Sequence, residues 1–261
     1  MKVSTSGYYA WRDRAQSTRA QKDVELVTAI KRVHRGDKCS YGSPRVHREL
    51  RNEGYGCGRH RVARLMRVNG IVANRIQRYR NRGARDDLYA RFDNLLLRHV
   101  AASRPDELWV GDYTYLRTPQ GWLYLAVVLD LYARRVVGWS FSRQRTAHLP
   151  REALRMALDE RQPAPGTLFH SDQGVEYAAH AFQSLLSANG LEPSMSRKGN
   201  CYDNAFIESF FASLKLELGG AFRSAAEAIE NVRSYIHFYN HERQHSSLGY
   251  QSPVQYERLS T

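Results

Sequence analysis

Three apolar runs constrain this chain most. They are LWVGDYTYLRT from Leu108, GWLYLAVVLDLY from Gly121 and RRVVGWSFS from Arg134. Each is rich in β-branched and aromatic residues, and only short turn-like segments separate them, so they predict an antiparallel meander. The second run is apolar at nearly every position, as expected of a strand covered on both faces. A helix is predicted over about 146–161, ending before the QPAPG turn, and TLFHSD reads as a fourth strand. A helix over about 177–189 and a short strand over about 191–195 come next. An amphipathic helix over about 202–218 then carries Ile207, Phe210, Phe211, Leu214 and Leu218 on one face, and a last helix covers about 224–240. This order predicts an α/β domain with a mixed sheet flanked by helices.

The segment before these runs has a different chemistry. Of the 261 residues, the first 104 carry 24 Lys and Arg against 9 Asp and Glu, so they account for all of the net charge of +13. A basic region joined to a nearly neutral one points to a polyanion-binding part and a part with another task. Three helices are expected between Val24 and Ile71, broken near Gly36 and between Gly54 and Gly58, which is compatible with a helix-turn-helix. The third would present Arg59, Arg61, Arg64 and Arg67 to DNA phosphates. The expected division is a basic helix-turn-helix-like region at 1–75, a basic linker at 76–104 and a catalytic domain at 105–261. His34, Cys39, Cys57 and His60 could be grouped as zinc ligands, but their spacing fits no standard finger. No run of 18 apolar residues exists and the start lacks the apolar stretch of a signal peptide, so the expected compartment is the cytoplasm, with the protein on the nucleoid when bound to DNA.

Three carboxylates stand out by position. Asp112 lies inside the first predicted strand, where a carboxylate is costly unless paired or metal-bound. Asp172 follows the fourth strand in HSDQG, and Glu208 flanks the apolar stripe of the amphipathic helix. Taken singly, each is more often structural or solvated. Together they would suit hard divalent cations, which prefer oxygen ligands, and two such ions can serve phosphodiester chemistry.

The text around all three resembles the transposases encoded by the second reading frame of insertion sequences in the IS-three family, relatives of retroviral integrases. Asp172 and Glu208 enclose 35 residues, the spacing of that family's Asp-Asp-Glu core. WVGDYTY at 109–115, HSDQGxxY at 170–177 and SRKGNCYDNAxxESFF at 196–211 match its motifs, as do SGYYAW at 6–11, YGSPRV at 41–46 and the tail from Tyr239 to Pro253. Lys215 occupies the family's basic position seven residues after the Glu. The resemblance implies a ribonuclease H-like, integrase-type catalytic domain with a five-stranded mixed sheet. It implies two Mg²⁺ (or Mn²⁺) ions on Asp112, Asp172 and Glu208, with Asp112 bridging. It further implies cleavage and strand transfer at terminal inverted repeats and in target DNA, without a covalent protein–DNA intermediate. A homodimer or higher oligomer on DNA is expected, with partnership or fusion to the upstream-frame product. Relatives usually carry additional residues before SGYY, and often a larger residue where Gly111 stands.

Secondary roles follow from position. Arg197 and Lys198, beside Gly199, form a basic loop suited to phosphates, and Asn204 precedes Glu208 by one helical turn. Lys215 could contact DNA or pair with an acid, and Arg243 could reach DNA or tie the tail to the core. His170 could orient a carboxylate or pack in the core, and Trp109 and Trp122 read as core. A decayed, non-catalytic DNA-binding regulator and a nuclease of the same fold are the competing readings.

Overall fold

The computed structural model describes residues 4–13, 17–36, 39–74, 102–196, 205–219 and 222–260. The chain divides into two compact units, 1–75 and 76–261. Most of the expected linker, and Arg197, Lys198 and Asn204, lie outside the described residues.

In the first unit, α1 (Thr5–Arg12) buries none of its residues, and Ser4 Oγ caps it by accepting from the Gly7 N–H. With no buried face, α1 has no core-facing apolar stripe in its sequence. α2 (Thr18–Gly36), α3 (Ser43–Asn52) and α4 (Arg59–Val68) pack around Ile30, Val46, Leu50, Val62, Leu65 and Met66. α2 starts at Thr18, well before the expected apolar onset, and Val24 is exposed. Tyr41 sits in this core, and its carbonyl is bonded to His34 Nδ1 at 3.0 Å.

The second unit is built on a five-stranded sheet of order β3-β2-β1-β4-β5. β1 (Leu108–Thr118), β2 (Gly121–Asp130) and β3 (Arg135–Ser142) form the expected antiparallel meander. β4 (Leu168–Ser171) and β5 (Glu192–Met195) add in parallel on the other side of β1. The continuous apolar run of β2 has the predicted cause. Leu123, Leu125, Val127 and Leu129 enter one core, and Ala126 and Val128 enter the other.

The first core is closed by α8 (Ala205–Leu218) and α9 (Ala225–His241) through Ile207, Phe210, Leu214, Val232 and Tyr235. The second lies under α5 (His148–Arg161) and α7 (His180–Ala188). α5 approaches β3 so closely that a Cβ on Gly138 would stand 2.2 Å from the Ala153 carbonyl oxygen.

Two departures concern helices. The expected single helix over 177–189 is α6 (Val175–Ala178) followed by α7, broken where Ala179 adopts an extended conformation. α10 (Pro253–Ser260) follows a 3-10 turn at Ser246–Leu248, and Arg161 clamps it by bonding Glu257 at 2.6 Å. No helix among the described residues is long and apolar enough to cross a membrane.

Candidate active site

The parallel pairing of β1 with β4 ends at Gly111 opposite Ser171. Asp112 is the next residue of β1 and Asp172 the residue just after β4, so one event of strand pairing, across 60 positions of sequence, sets both carboxylates at the same end of adjacent strands. Adjacent strands lie about 4.8 Å apart. The Tyr113 N–H donates to Asp112 Oδ1 at 2.7 Å, and the Gly174 N–H donates to Asp172 Oδ1 at 2.9 Å. Glu208 stands exposed in the first turn of α8. The buried neighbours Ile207, Phe210 and Phe211 fix α8 against the sheet.

Electrostatics link the three. Burial pushes the Asp112 carboxyl up to about 8, and the charges of Asp172 and Glu208 act in the same direction. The Tyr113 N–H and Lys215 oppose this shift. Like charges gathered at a half-buried point raise the cost of ionisation, and a divalent cation is the species that relieves it. Three carboxylate donors suit a hard cation such as Mg²⁺ or Mn²⁺ and not a soft one. The side chains are within electrostatic reach, although no three His, Cys, Asp or Glu side chains among the described residues stand together as a group that could hold a metal ion. His34, Cys39, Cys57 and His60 likewise form no such group.

A supporting layer escaped the sequence reading. Arg145 Nε donates to Glu176 Oε1 at 2.6 Å, and the guanidinium lies 5.2 Å from the Tyr113 ring centroid. Tyr113 stacks on buried Tyr177 at 6.3 Å, and Glu176 is itself buried. A Cβ on Gly174 would meet Asp172 Oδ1 at 2.8 Å and Glu176 Oε2 at 3.2 Å, so the Arg145–Glu176 pair braces the turn that carries Asp172. Burial, then the charges of Asp112 and Asp172, drive the Tyr177 phenol well above its ordinary range, so it is neutral. The HSDQGxxY text pointed to Tyr177, but nothing in sequence pointed to Arg145, 31 residues from its partner.

The remaining expected residues divide. Arg59 and Arg67 are exposed on α4, whereas Arg61 and Arg64 both bond Asp23 of α2 at 2.7 Å. Lys215 Nζ lies 4.9 Å from the Tyr115 ring centroid, and desolvation lowers its pKa against the opposing pull of Asp112. Of the two roles expected for Arg243, contact with DNA and a tie from the tail to the core, the structure shows the tie. Its guanidinium is buried and bonds Glu217 at 2.8 Å, which ties the tail to α8. His170 is buried, with Nδ1 2.9 Å from Ser194 Oγ across the β4–β5 pairing. Trp109 is core, but Trp122, beside the β1–β2 turn, is 50% exposed. Gly111 has a steric reason: a Cβ there would stand 2.4 Å from Phe169 Cζ.

Comparison with known proteins adds names to this geometry. Residues 21–79 match the family model described as an HTH-like domain, and residues 102–201 and 189–253 match two models described as an integrase core domain. The chain is 40% identical to the transposase InsF for insertion sequence IS3A of Escherichia coli, over 98% of this chain and 91% of that protein. It is 39% identical to the uncharacterized 31 kDa protein of insertion element IS600 of Shigella sonnei, over 97% of this chain and 94% of that one. A chain in the cryo-EM structure of the simian T-cell lymphotropic virus intasome with PP2A regulatory subunit B56 gamma shares the fold. Its TM-score is 0.53 at 14% identity, covering 87% of this chain and 74% of that one.

Proposed function

The chain belongs to the insertion-sequence transposases of the IS3 type, and on that premise we propose that Asp112, Asp172 and Glu208 are its catalytic carboxylates. As a transposase with an integrase-type core, it is a polynucleotidyl transferase that cleaves DNA strands and transfers them at insertion-sequence ends. The observation that carries the site assignment is the position of Asp112 and Asp172 at the open end of one parallel strand pair, with Glu208 close enough to raise the Asp112 pKa.

In this reading Asp112, Asp172 and Glu208 would hold divalent Mg²⁺ or Mn²⁺, expected as two ions. When bound, such ions activate the attacking oxygen and stabilise the leaving one. The chain's own contribution is placement. The Tyr113 and Gly174 N–H groups fix one oxygen of each aspartate, the Arg145–Glu176 pair holds the Asp172 turn, and α8 sets Glu208 from the other side. Water attacks an end phosphodiester and breaks its P–O3′ bond, leaving a 5′-phosphate and a free 3′-hydroxyl, which then attacks a target phosphodiester in line and displaces the target's own 3′-hydroxyl. Lys215, Arg197, Lys198 and Asn204 are assigned to the DNA beside this centre, and Arg59 and Arg67 to sequence-independent contacts by the first unit. Arg61 and Arg64 contribute there only to the extent that Asp23 shares them. The inverted repeats and target are the DNA partners. Synapsis of two ends calls for at least a dimer, and the upstream-frame product is a proposed partner.

The test is strand transfer on labelled element-end DNA with Mg²⁺ or Mn²⁺, wild type against Glu208→Gln. Metal-dependent joined products, absent in the variant, support the reading. Cleavage without joining favours a nuclease. DNA binding with neither, unchanged on fusion to the upstream product, favours a regulator.

A further inference from the structure

β1 and β2 carry an exposed aromatic pair beside the proposed catalytic centre. Tyr115 follows Asp112 by three residues, about 10 Å along an extended strand, so the two side chains leave opposite faces of β1, and Lys215 links them, acting on the Asp112 charge with its Nζ 4.9 Å from the Tyr115 ring centroid. Its ring lies 5.0 Å from that of Trp122 in an edge-to-face arrangement. The β1–β2 register places Tyr115 opposite Tyr124 and Arg117 opposite Trp122, so the two rings are diagonal neighbours on one sheet face. Tyr113 lies on that same face and packs into the second core with Tyr177, but Tyr115 and Trp122 are 54% and 50% exposed.

Exposed aromatic residues are ordinary when isolated. Here cations frame them. Lys215 Nζ, from α8, stands 4.9 Å from the Tyr115 centroid, and Arg117 is exposed on the same strand between them in sequence. Beyond Gly111, β1 pairs only with β2 among the described residues. Flat rings edged by positive charge are the combination that holds an unpaired nucleotide, with the base on the aromatic face and the phosphate against the cation.

We propose that Tyr115 and Trp122, with Lys215 and Arg117, form a stacking subsite for an unpaired base of the DNA strand next to the scissile phosphate. The subsite rests on the transposase reading and adds to it a place where a melted end is held. A base lodged on the hairpin would keep the strand from reannealing while its phosphate occupies the carboxylates. The surface commits to an unpaired nucleotide and not to duplex, because a base stacked within a duplex has no free face to offer the rings.

The experiment uses the full chain, Ca²⁺ to hold the complex, and end duplexes either fully paired or with three unpaired nucleotides at the scissile end. One unpaired position carries 2-aminopurine. Wild type is expected to quench the 2-aminopurine and to bind the unpaired end in preference to the paired one. Trp122→Ala and Tyr115→Ala should each abolish quenching and weaken unpaired-end binding by roughly tenfold, with paired-end binding little changed. Tyr115→Phe, which keeps the ring, should behave as wild type. Quenching and preference retained in both alanine variants would overturn the proposal. So would a change in sedimentation of the DNA-free variants with quenching intact, which would make the hairpin a protein contact. Binding with an unquenched base in wild type removes this subsite alone, whereas loss of all DNA binding removes the transposase reading with it.

Discussion

At the scale of single residues, the proposed site trades stability for charge. Asp112 has its carboxyl raised to about 8, above the unfolded value, so ionising it opposes folding. The sign follows from proton counting. Between the unfolded pKa near 4 and about 8, the folded state holds a proton that the unfolded state has lost, so stability falls as pH rises through that window. Asp112→Asn removes this dependence. In metal-free buffer at pH 8 the variant should melt above wild type by a few degrees while showing no cleavage, and thermal melts at pH 5 and pH 8 check it. A variant less stable than wild type at pH 8 would count against the repulsion. Gly111 makes a second prediction. Gly111→Ala forces a Cβ into the Phe169 ring and should cost about 1–3 kcal/mol, with Phe169→Leu in the same chain recovering much of it in urea denaturation. The carboxylate spacing was legible in sequence because the motifs surrounding it are distinctive text. The brace of Arg145 on Glu176 was not, since local pattern says nothing about a contact formed only after α5 and α6 pack. For Arg243 the sequence left two roles open, and only the packed structure, which sets Glu217 beside it from 26 residues earlier, selects the tie to the core.

At the scale of elements, the Glu217–Arg243 pair couples α8 to the segment after α9. Both side chains are buried, so removing one partner strands a charge. Arg243→Ala should therefore cost about 3–5 kcal/mol, and joint replacement of both by apolar residues of similar volume should restore most of it. A double-mutant cycle in urea measures this, and a cost below 1 kcal/mol for the single variant would contradict the burial. Because α8 also carries Glu208, the single variant should lose activity in step with order in that helix. The meander, α5, α8 and α9 were legible from period and length. The break at Ala179 was not, because HAFQSLL continues the apolar pattern without a Gly or Pro to mark the division. Trp122 was misplaced because a bulky apolar side chain was read as core, when position in a hairpin decides its exposure.

At the scale of the whole molecule, charge and chemistry are segregated. Residues 1–75 form one contact unit with its own apolar centre, and residues 76–261 form the other. Two units with separate cores should unfold in separable steps, visible as two transitions in calorimetry. Replacing Arg59 and Arg67 with Gln should lower the slope of log binding constant against log salt by about two, while leaving the single-turnover rate of prebound complexes unchanged. A rate that falls in proportion to affinity would place those arginines in the reaction itself. The basic N-terminal half was readable from residue counts alone, but counts could not show that Asp23 takes two of its arginines into ion pairs. The sheet order has one more consequence, in the time course of synthesis. Asp112 waits for β4 before Asp172 can stand beside it, and both wait for α8, close to the C-terminal end. Because α8 and α9 also close the first core, that core and the proposed carboxylate set should form together, late in synthesis, so that a nascent chain would lack the proposed site until the helices that complete its fold have emerged.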